Sequence, residues 1–243
     1  MATQFKHKYA EFGFNTLHKR VKDMIDMKDQ VDVDRAHVKF SYGNRKTGKM
    51  VPSVLLIPIH DCGNCKVCCQ GCYNIRNVCF QKTVQKSRAN NSALYEKDPM
   101  RFMFEVEQEV KFRAFFWFFV GGDLKDYYML DSIVGMAFRN PQCQILMFTK
   151  MYDLVNKYLD DHSDIKGGVF PDNLHVIFSD WRGAEFENPY NLPVSSPLWE
   201  DGTKGPHCTD DTIICTGDCS ACAEIKGGCW SLKKGQTVLF EAH

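Results

Sequence analysis

The segment PSVLLIPIHDCGNCKVCCQGCYN, residues 52–74, decides how this chain folds. Its first part, residues 52–59, is a short apolar run of the kind found in a buried parallel strand. Three cysteines follow with the spacing C-x3-C-x2-C, at Cys65, Cys69 and Cys72. A short loop with this spacing can wrap three thiolates around one iron–sulfur cluster and leave one iron open. The sequence therefore predicts a strand that delivers a metal-binding loop.

Strands and helices alternate further along the chain. An Asp-Pro pair at residues 98–99 is a helix-start signal. The segments that follow are strands at residues 114–120, 144–149 and 173–179, separated by helices at residues 127–138 and 151–159. This alternation is typical of an α/β protein with a parallel sheet and right-handed crossovers, curled into a full or partial barrel.

Polar residues and glycines stand where these strands end. They are Gly121, Gly122, Asp123, Lys150, Ser179 and Asp180. The carboxyl ends of parallel strands meet at one edge of a sheet, and the active sites of barrel proteins collect there. We therefore expect these residues to share one rim with the cysteine loop.

Composition and charge limit the classes of function. Thirty basic and thirty acidic side chains leave no formal net charge, so the chain lacks the electrostatic footprint of a general nucleic-acid binder. No apolar run reaches the roughly 18 residues that a membrane span needs, and residues 1–12 contain no signal-peptide apolar region. We predict a cytoplasmic protein without membrane contact.

The chain divides into three parts. Residues 1–50 form an N-terminal covering segment, whose first 30 residues carry apolar side chains at helical spacing. Residues 51–195 form the α/β unit, and residues 196–243 form a small Cys-rich metal-binding extension. The stretch at residues 181–207 is rich in Pro and Gly, so we expect an irregular loop that covers the site as a substrate lid.

Twelve cysteines without a secretion signal indicate metal ligation, because the cytosol keeps thiols reduced. Beyond the loop described above, a second group offers five thiols to one site: Cys208, Cys215, Cys219, Cys222 and Cys229. Glycines and small residues around this group let backbone N–H groups point at sulfur. An iron–sulfur cluster, a zinc site and a structural clip for the C-terminal tail all remain open.

C-x3-C-x2-C after one strand and Gly-Gly-acid after the next resemble the radical S-adenosylmethionine superfamily, over roughly residues 50–180. The resemblance implies a partial (β/α)6 TIM-like barrel, a [4Fe–4S] cluster on the three loop cysteines, and S-adenosyl-L-methionine as cofactor. It also implies an electron donor such as a flavodoxin or ferredoxin. The second cysteine group resembles the auxiliary clusters of peptide-modifying radical enzymes.

The same resemblance assigns the cofactor-binding residues. The methionyl amino group would meet Gly121, Gly122 and Asp123, while Lys150, Ser179 and Asp180 would contact the ribose or the carboxylate. Tyr73 would lie near the adenine or the cluster. The sequence departs from the superfamily in two places: Gln70 and Gly71 stand where an aromatic residue is usual, and Asp123 replaces the usual Glu.

A second resemblance, to phage-associated proteins with a CYA-type cysteine motif and a terminal Cys-Trp segment, spans most of the chain. The matching residues are Cys72-Tyr73-Asn74, Gly122-Asp123, Ser179-Asp180-Trp181, Cys229-Trp230 and His243. This resemblance carries little knowledge of function.

Two function classes follow from these patterns. The first is an enzyme that generates a 5′-deoxyadenosyl radical to modify a peptide, a nucleotide or a small molecule. The second is a non-catalytic binding protein of a phage or mobile element, stabilised by zinc or a closed cluster. In that second class Cys62 and Cys65 would bind zinc together with Cys69 and Cys72, because two C-x2-C-type pairs suit a tetrahedral site. The sequence does not name the substrate or the oligomeric state.

Overall fold

The computed structural model describes residues 14–43, 51–63, 68, 72, 74–75, 81–163 and 170–241, without the side chains of residues 14–18. Several predicted site residues lie outside the described part of the chain: Cys65, Cys69, Gln70, Gly71, Tyr73 and His243.

The described residues form helices and strands in alternation. The helices are α1 (Phe14–Lys28), α2 (Lys82–Lys97), α3 (Pro99–Val110), α4 (Tyr127–Arg139), α5 (Tyr152–Asp161) and α6 (Cys219–Glu224), with a 3₁₀ turn at Gly228–Trp230. The strands are β1 (Phe40–Ser41), β2 (Ser53–Val54), β3 (Phe115–Phe118), β4 (Gln144–Thr149), β5 (Leu174–Ser179), β6 (Val194–Leu198), β7 (Ile213–Ile214) and β8 (Thr237–Glu241). None of the helices in these ranges is long and apolar enough to cross a membrane.

All eight strands belong to one sheet with the order β1-β2-β3-β4-β5-β6-β8-β7. β1 pairs antiparallel with β2, and every other pair is parallel. The predicted α/β class with a mainly parallel sheet is confirmed. β4 has the predicted bounds, and Asp98 caps α3 as the Asp-Pro signal indicates, since its carboxylate accepts a hydrogen bond from the Arg101 N–H.

The first predicted strand is shorter than its apolar run. Residues 52–59 were expected to be extended, but β2 ends at Val54, and the chain then turns. The Ile57 N–H donates to the carboxylate of Asp61 instead of to a neighbouring strand, and Ile59 has a positive φ of 70°. The apolar residues Leu56 and Ile57 remain fully buried, so burial and not strand pairing explains the apolar run.

The prediction of an irregular stretch over residues 181–207 is wrong for its middle, because β6 lies there. β6 pairs with β5 on one side and with β8 on the other. Pairing with a strand from the end of the chain overrides the local Pro and Gly signal, which sequence periodicity cannot anticipate.

The two faces of the sheet are covered by different parts of the chain. Helices α2 to α5 pack on one face, in the main core that contains Phe116, Phe118 and Met147. The other face carries Phe115, Leu146 and Ile177, and these pack against Ala223 and Trp230 of the Cys-rich extension together with other residues. The extension therefore closes one face of the sheet and also adds β7 and β8 to it.

Candidate functional site

The cysteine loop begins at a buried carboxylate. Asp61 is 1% exposed, and its oxygens accept hydrogen bonds from the Ile57 N–H, the Ser92 hydroxyl and the Lys125 ammonium, the last at 2.7 Å. Ser92 lies on α2, and Lys125 follows β3. This one carboxylate therefore ties the start of the loop to the helix that follows it and to the neighbouring strand's end.

The loop ends at a buried amide. Asn74 is 4% exposed; its Nδ2 donates to the Val120 carbonyl, and its Oδ1 accepts a hydrogen bond of 2.5 Å from Arg88 Nη2. Val120 lies just after β3, and Arg88 lies on α2. Both ends of the cysteine loop are thus attached to the same two elements.

Cys72, two residues before Asn74, has surroundings that suit a metal ligand. Burial raises the pKa of its thiol to about 12, and the neighbouring thiols Cys68 and Cys62 act in the same direction. Hydrogen bonds to its sulfur from the Ile75 and Asn74 backbone favour the thiolate. A metal cation would remove the burial penalty, and backbone N–H donors are typical of iron–sulfur ligands. The Cys72 sulfur and its backbone N–H donors are therefore compatible with binding to an iron–sulfur cluster or to zinc.

The turn after β3 packs against the segment that precedes the loop and against α2. Gly122 has φ +86°, and a Cβ there would lie 2.8 Å from the Leu56 Cβ. A Cβ on Gly121 would lie 2.6 Å from the Arg88 guanidinium. Contacts within the protein therefore already explain why both positions are glycine, without a contact to a cofactor.

Asp123 links the ends of β3 and β4. Its buried carboxylate accepts hydrogen bonds from the Thr149 hydroxyl at 2.6 Å, the Lys150 N–H at 2.9 Å and the Leu124 N–H at 2.7 Å. Burial raises the pKa of this carboxyl group, and these donors act against the rise. Three donors of the protein thus bind this carboxylate, so Asp123 holds the ends of β3 and β4 together.

The ends of β4 and β5 form a connected polar group. Lys150 Nζ donates to the Ser179 hydroxyl at 2.9 Å and lies over the Trp181 ring. Asp180 is 1% exposed, and its Oδ2 lies 3.3 Å from the Ser196 hydroxyl and 3.4 Å from His207 Nδ1. The carboxylate therefore joins β5, β6 and the segment that precedes β7.

The cysteine loop reaches this polar group. Gly63 packs so closely against Met151 that a Cβ at position 63 would lie 2.5 Å from the Met151 methyl. Burial raises the pKa of the nearby Tyr152 hydroxyl, and the charges of Asp180, Asp123 and Cys68 raise it further. The described start of the loop, the Gly-Gly-Asp turn and the ends of β4 and β5 therefore lie on one edge of the sheet, which we call the carboxyl rim.

The second cysteine group is spread over the extension. Cys215 follows β7, Cys219 and Cys222 lie on α6, and Cys229 lies in the 3₁₀ turn, while Cys208 precedes β7. All five side chains have intermediate exposure. Within the described ranges, no three His, Cys, Asp or Glu side chains are grouped closely enough to hold a metal. A metal at this group stays a prediction.

The contacts of some rim residues were not predicted from the sequence. Asp61, Asn74, Arg88 and His207 are each placed by contacts with residues of other segments. Asn74 belongs to the motif Cys72-Tyr73-Asn74, but the motif does not indicate its partners. No sequence pattern marks Arg88.

The fold and the rim define an α/β protein with a cysteine loop at the carboxyl edge of its parallel strands. A family model described as Gene product 88 matches residues 28–189, about two thirds of the chain. The chain belongs to this family. The match includes the cysteine loop and the rim up to Asp180, and it ends before the second cysteine group. No curated protein and no solved structure matches the chain.

Proposed function

We propose that this protein is an iron–sulfur enzyme that reductively cleaves S-adenosyl-L-methionine and uses the 5′-deoxyadenosyl radical to modify a substrate. One observation carries the proposal: the segment that leads into the cysteine loop is hydrogen-bonded directly to the Gly-Gly-Asp turn. The Leu56 N–H donates to the Gly121 carbonyl at 2.9 Å, and the Asp123 N–H donates to the Asp61 carbonyl at 3.4 Å. With the two segments held this close, one cofactor would contact both the metal bound by the loop cysteines and the glycine turn.

The proposal assigns a [4Fe–4S] cluster to Cys65, Cys69 and Cys72. Backbone carbonyls of residues 121–123 would accept hydrogen bonds from the methionyl amino group, since three protein donors already occupy the Asp123 carboxylate. Lys150, Ser179 and Asp180 would contact the ribose or the carboxylate. Tyr73 would cover the adenine or the cluster.

A cluster held by these cysteines would supply the one electron, received from a flavodoxin or ferredoxin, for cleavage of the sulfonium C5′–S bond into methionine and the adenosyl radical. The substrate would then give up a hydrogen atom, with 5′-deoxyadenosine as the product. The protein has to keep water and stray hydrogen donors away from the radical carbon. Trp117 and Phe148 lie on the face opposite the helices, with ring centroids 5.5 Å apart. Their rings would form an apolar wall that excludes water.

We also propose that the sheet forms a partial (β/α)6 barrel and that the protein is cytoplasmic. The barrel is supported by a strand order that follows the chain from β1 to β6 and by helices α2 to α5 in one core. A cytoplasmic location would supply the reduced electron donor and keep the thiols reduced. We further propose that the second cysteine group holds an auxiliary iron–sulfur cluster or zinc. The modified substrate would be a peptide, a nucleotide or a small molecule.

A product assay tests the proposal. Anaerobically purified protein is reduced with dithionite in the presence of S-adenosylmethionine, and 5′-deoxyadenosine and methionine are quantified by mass spectrometry. We expect both products from the wild type and none from Cys72→Ala. Cys143→Ala serves as the matched control, because Cys143 is a fully buried thiol in the main core, away from the rim. Its product yield should stay near that of the wild type.

The alternative function is a non-catalytic binding protein of a phage or mobile element, stabilised by zinc or a closed cluster. One observation favours it: Gly121 and Gly122 are explained by their contacts with Arg88 and Leu56, without a cofactor. Stoichiometric zinc and no 5′-deoxyadenosine under any reducing condition would support this alternative and contradict the enzyme.

A further inference from the structure

Arg88 is a buried cation without a counter-ion in the described part of the protein. Its side chain is 1% exposed on α2, and among the described residues Nη2 bonds only the neutral amide oxygen of Asn74. The Nε and Nη1 atoms are buried and meet no acceptor among the described residues. A guanidinium stays charged in proteins, and burial of an unpaired charge is strongly unfavourable. The position therefore calls for an anion.

The neighbouring carboxylates do not fill this role. Asp61 is occupied by the Lys125 ammonium, the Ser92 hydroxyl and a backbone N–H, and Asp123 by the Thr149 hydroxyl and two backbone N–H groups. No described ion pair includes Arg88.

The surrounding sequence cannot supply the charge either. Residues 62–95 contain no Asp and no Glu, so no acid in the cysteine loop or in most of α2 can pair with Arg88. The same stretch contains five basic residues: Lys66, Arg76, Lys82, Lys86 and Arg88. The groups in this stretch that become anionic when they bind a metal are the cysteine thiols.

The guanidinium faces the junction of two site elements. It contacts Asn74 at the end of the cysteine loop, and it lies so close to Gly121 that a Cβ there would approach Nη1 to 2.6 Å. Asn74 is held in turn by the Val120 carbonyl. The charge is therefore fixed between the cysteine loop and the Gly-Gly-Asp turn, where the absence of a side chain at position 121 leaves room for it.

We infer that Arg88 forms a buried anion site at this junction, and that the anion comes with a bound group. Two sources share this chemistry: the carboxylate of an amino-acid-like cofactor, and a metal–thiolate centre with net negative charge. The first source rests on the proposed function, because S-adenosylmethionine carries such a carboxylate. The second does not, since zinc thiolates would also serve.

The test compares Arg88→Met with Lys86→Met. Lys86 is an exposed basic residue on the same helix, so both variants lose one positive charge from α2. Two quantities are measured on anaerobically purified protein: iron and zinc per chain, and the dissociation constants of S-adenosylmethionine and of decarboxylated S-adenosylmethionine. Circular dichroism checks the fold, and Arg88→Gln, which also loses the charge but keeps an N–H donor for Asn74, replaces Arg88→Met if that variant does not fold.

A carboxylate source predicts at least about tenfold weaker binding of S-adenosylmethionine to Arg88→Met, which is the scale of one lost charge-assisted hydrogen bond, with the decarboxylated analogue unaffected. A metal–thiolate source predicts that Arg88→Met loses most of its metal while Lys86→Met keeps it. If metal content and both dissociation constants are the same in the wild type and in Arg88→Met, the anion site is overturned. Failure of the proposed function is a separate result, seen as no 5′-deoxyadenosine from the wild type.

Discussion

The two cysteine groups share the spacing C-x3-C-x2-C, at residues 65–72 and 215–222, but they lie in different surroundings. The first is a loop at the carboxyl rim, held at both ends by the buried polar side chains of Asp61 and Asn74. The second surrounds a short helix, and Ala223 of that helix and Trp230 of the 3₁₀ turn pack on one face of the sheet. Spacing predicts which atoms can bind a metal, and the surroundings indicate what a bound metal would do there. We therefore expect chemistry at the first group and stabilisation at the second.

The largest expected effect on stability comes from Trp230. Its ring lies 5.1 Å from the Phe115 ring and is 5% exposed, so Trp230→Ala should lower the free energy of unfolding by about 3–5 kcal/mol. Trp230→Phe is the control and should cost about 1–2 kcal/mol, because an aromatic ring remains against Phe115. Denaturant unfolding measures both. Equal stability of Trp230→Ala and the wild type would show that the extension does not support the sheet.

Asp61 should give the next largest effect. Asp61→Ala leaves the Lys125 ammonium and the Ser92 hydroxyl without their shared acceptor, and we expect a loss of about 2–4 kcal/mol. In contrast to Trp230→Ala, this change should also lower the metal content of the rim, because the loop loses its anchor. The metal content per chain of both variants distinguishes loss of the loop anchor from loss of packing under the extension. A rim that keeps its metal in Asp61→Ala would contradict the anchoring role.

Gly122 tests how closely the turn after β3 fits the loop. Gly122 and Gly202 both have positive φ, +86° and +77°, but a Cβ on Gly202 would meet nothing within 4 Å. Gly202→Ala should therefore cost only the backbone strain, about 1–2 kcal/mol. Gly122→Ala should cost about 1–3 kcal/mol more, because its Cβ would overlap Leu56. Thermal or denaturant unfolding of the pair isolates this contact, and equal losses would argue against it.

The smallest effect is a pH dependence in the region under the extension. Burial lowers the pKa of His175, which lies beside Trp230. The unfolded chain then binds this proton more readily than the folded chain, so the free energy of unfolding should fall as the pH drops below about 6.5. One proton limits the slope to about 1.4 kcal/mol per pH unit. His175→Gln should reduce the slope in denaturant unfolding between pH 7.5 and 5.5, and an unchanged slope would exclude His175 as its origin.

The sequence predicted the α/β class and the bounds of β4 because apolar runs and strand burial coincide there. It also predicted that the rim residues would share one edge, since that follows from parallel pairing alone. It did not predict α2, although this helix has 16 residues. α2 buries polar side chains, namely Gln85, Arg88, Asn91 and Ser92, so its inner face lacks the apolar periodicity that marks a helix.

The polar contacts of the rim could not be read from the sequence for a related reason. Asn74, Arg88 and Gly121 meet only after α2 has folded back along the sheet. Such contacts depend on side-chain placement, and no local pattern encodes them. β6 is a similar case, because its partner β8 lies about forty residues further along the chain.

The most direct test of the contrast between the two cysteine groups is metal content combined with electron paramagnetic resonance, with and without S-adenosylmethionine. Three anaerobic samples are compared: the wild type, a triple Ala variant of Cys65, Cys69 and Cys72, and a triple Ala variant of Cys215, Cys219 and Cys222. We predict about four or more irons in the wild type and a reduced-cluster signal that changes on addition of the cofactor. The response should vanish in the first variant and persist in the second. Stoichiometric zinc without any response to the cofactor, or a response lost only in the second variant, would contradict the assignment of chemistry to the rim.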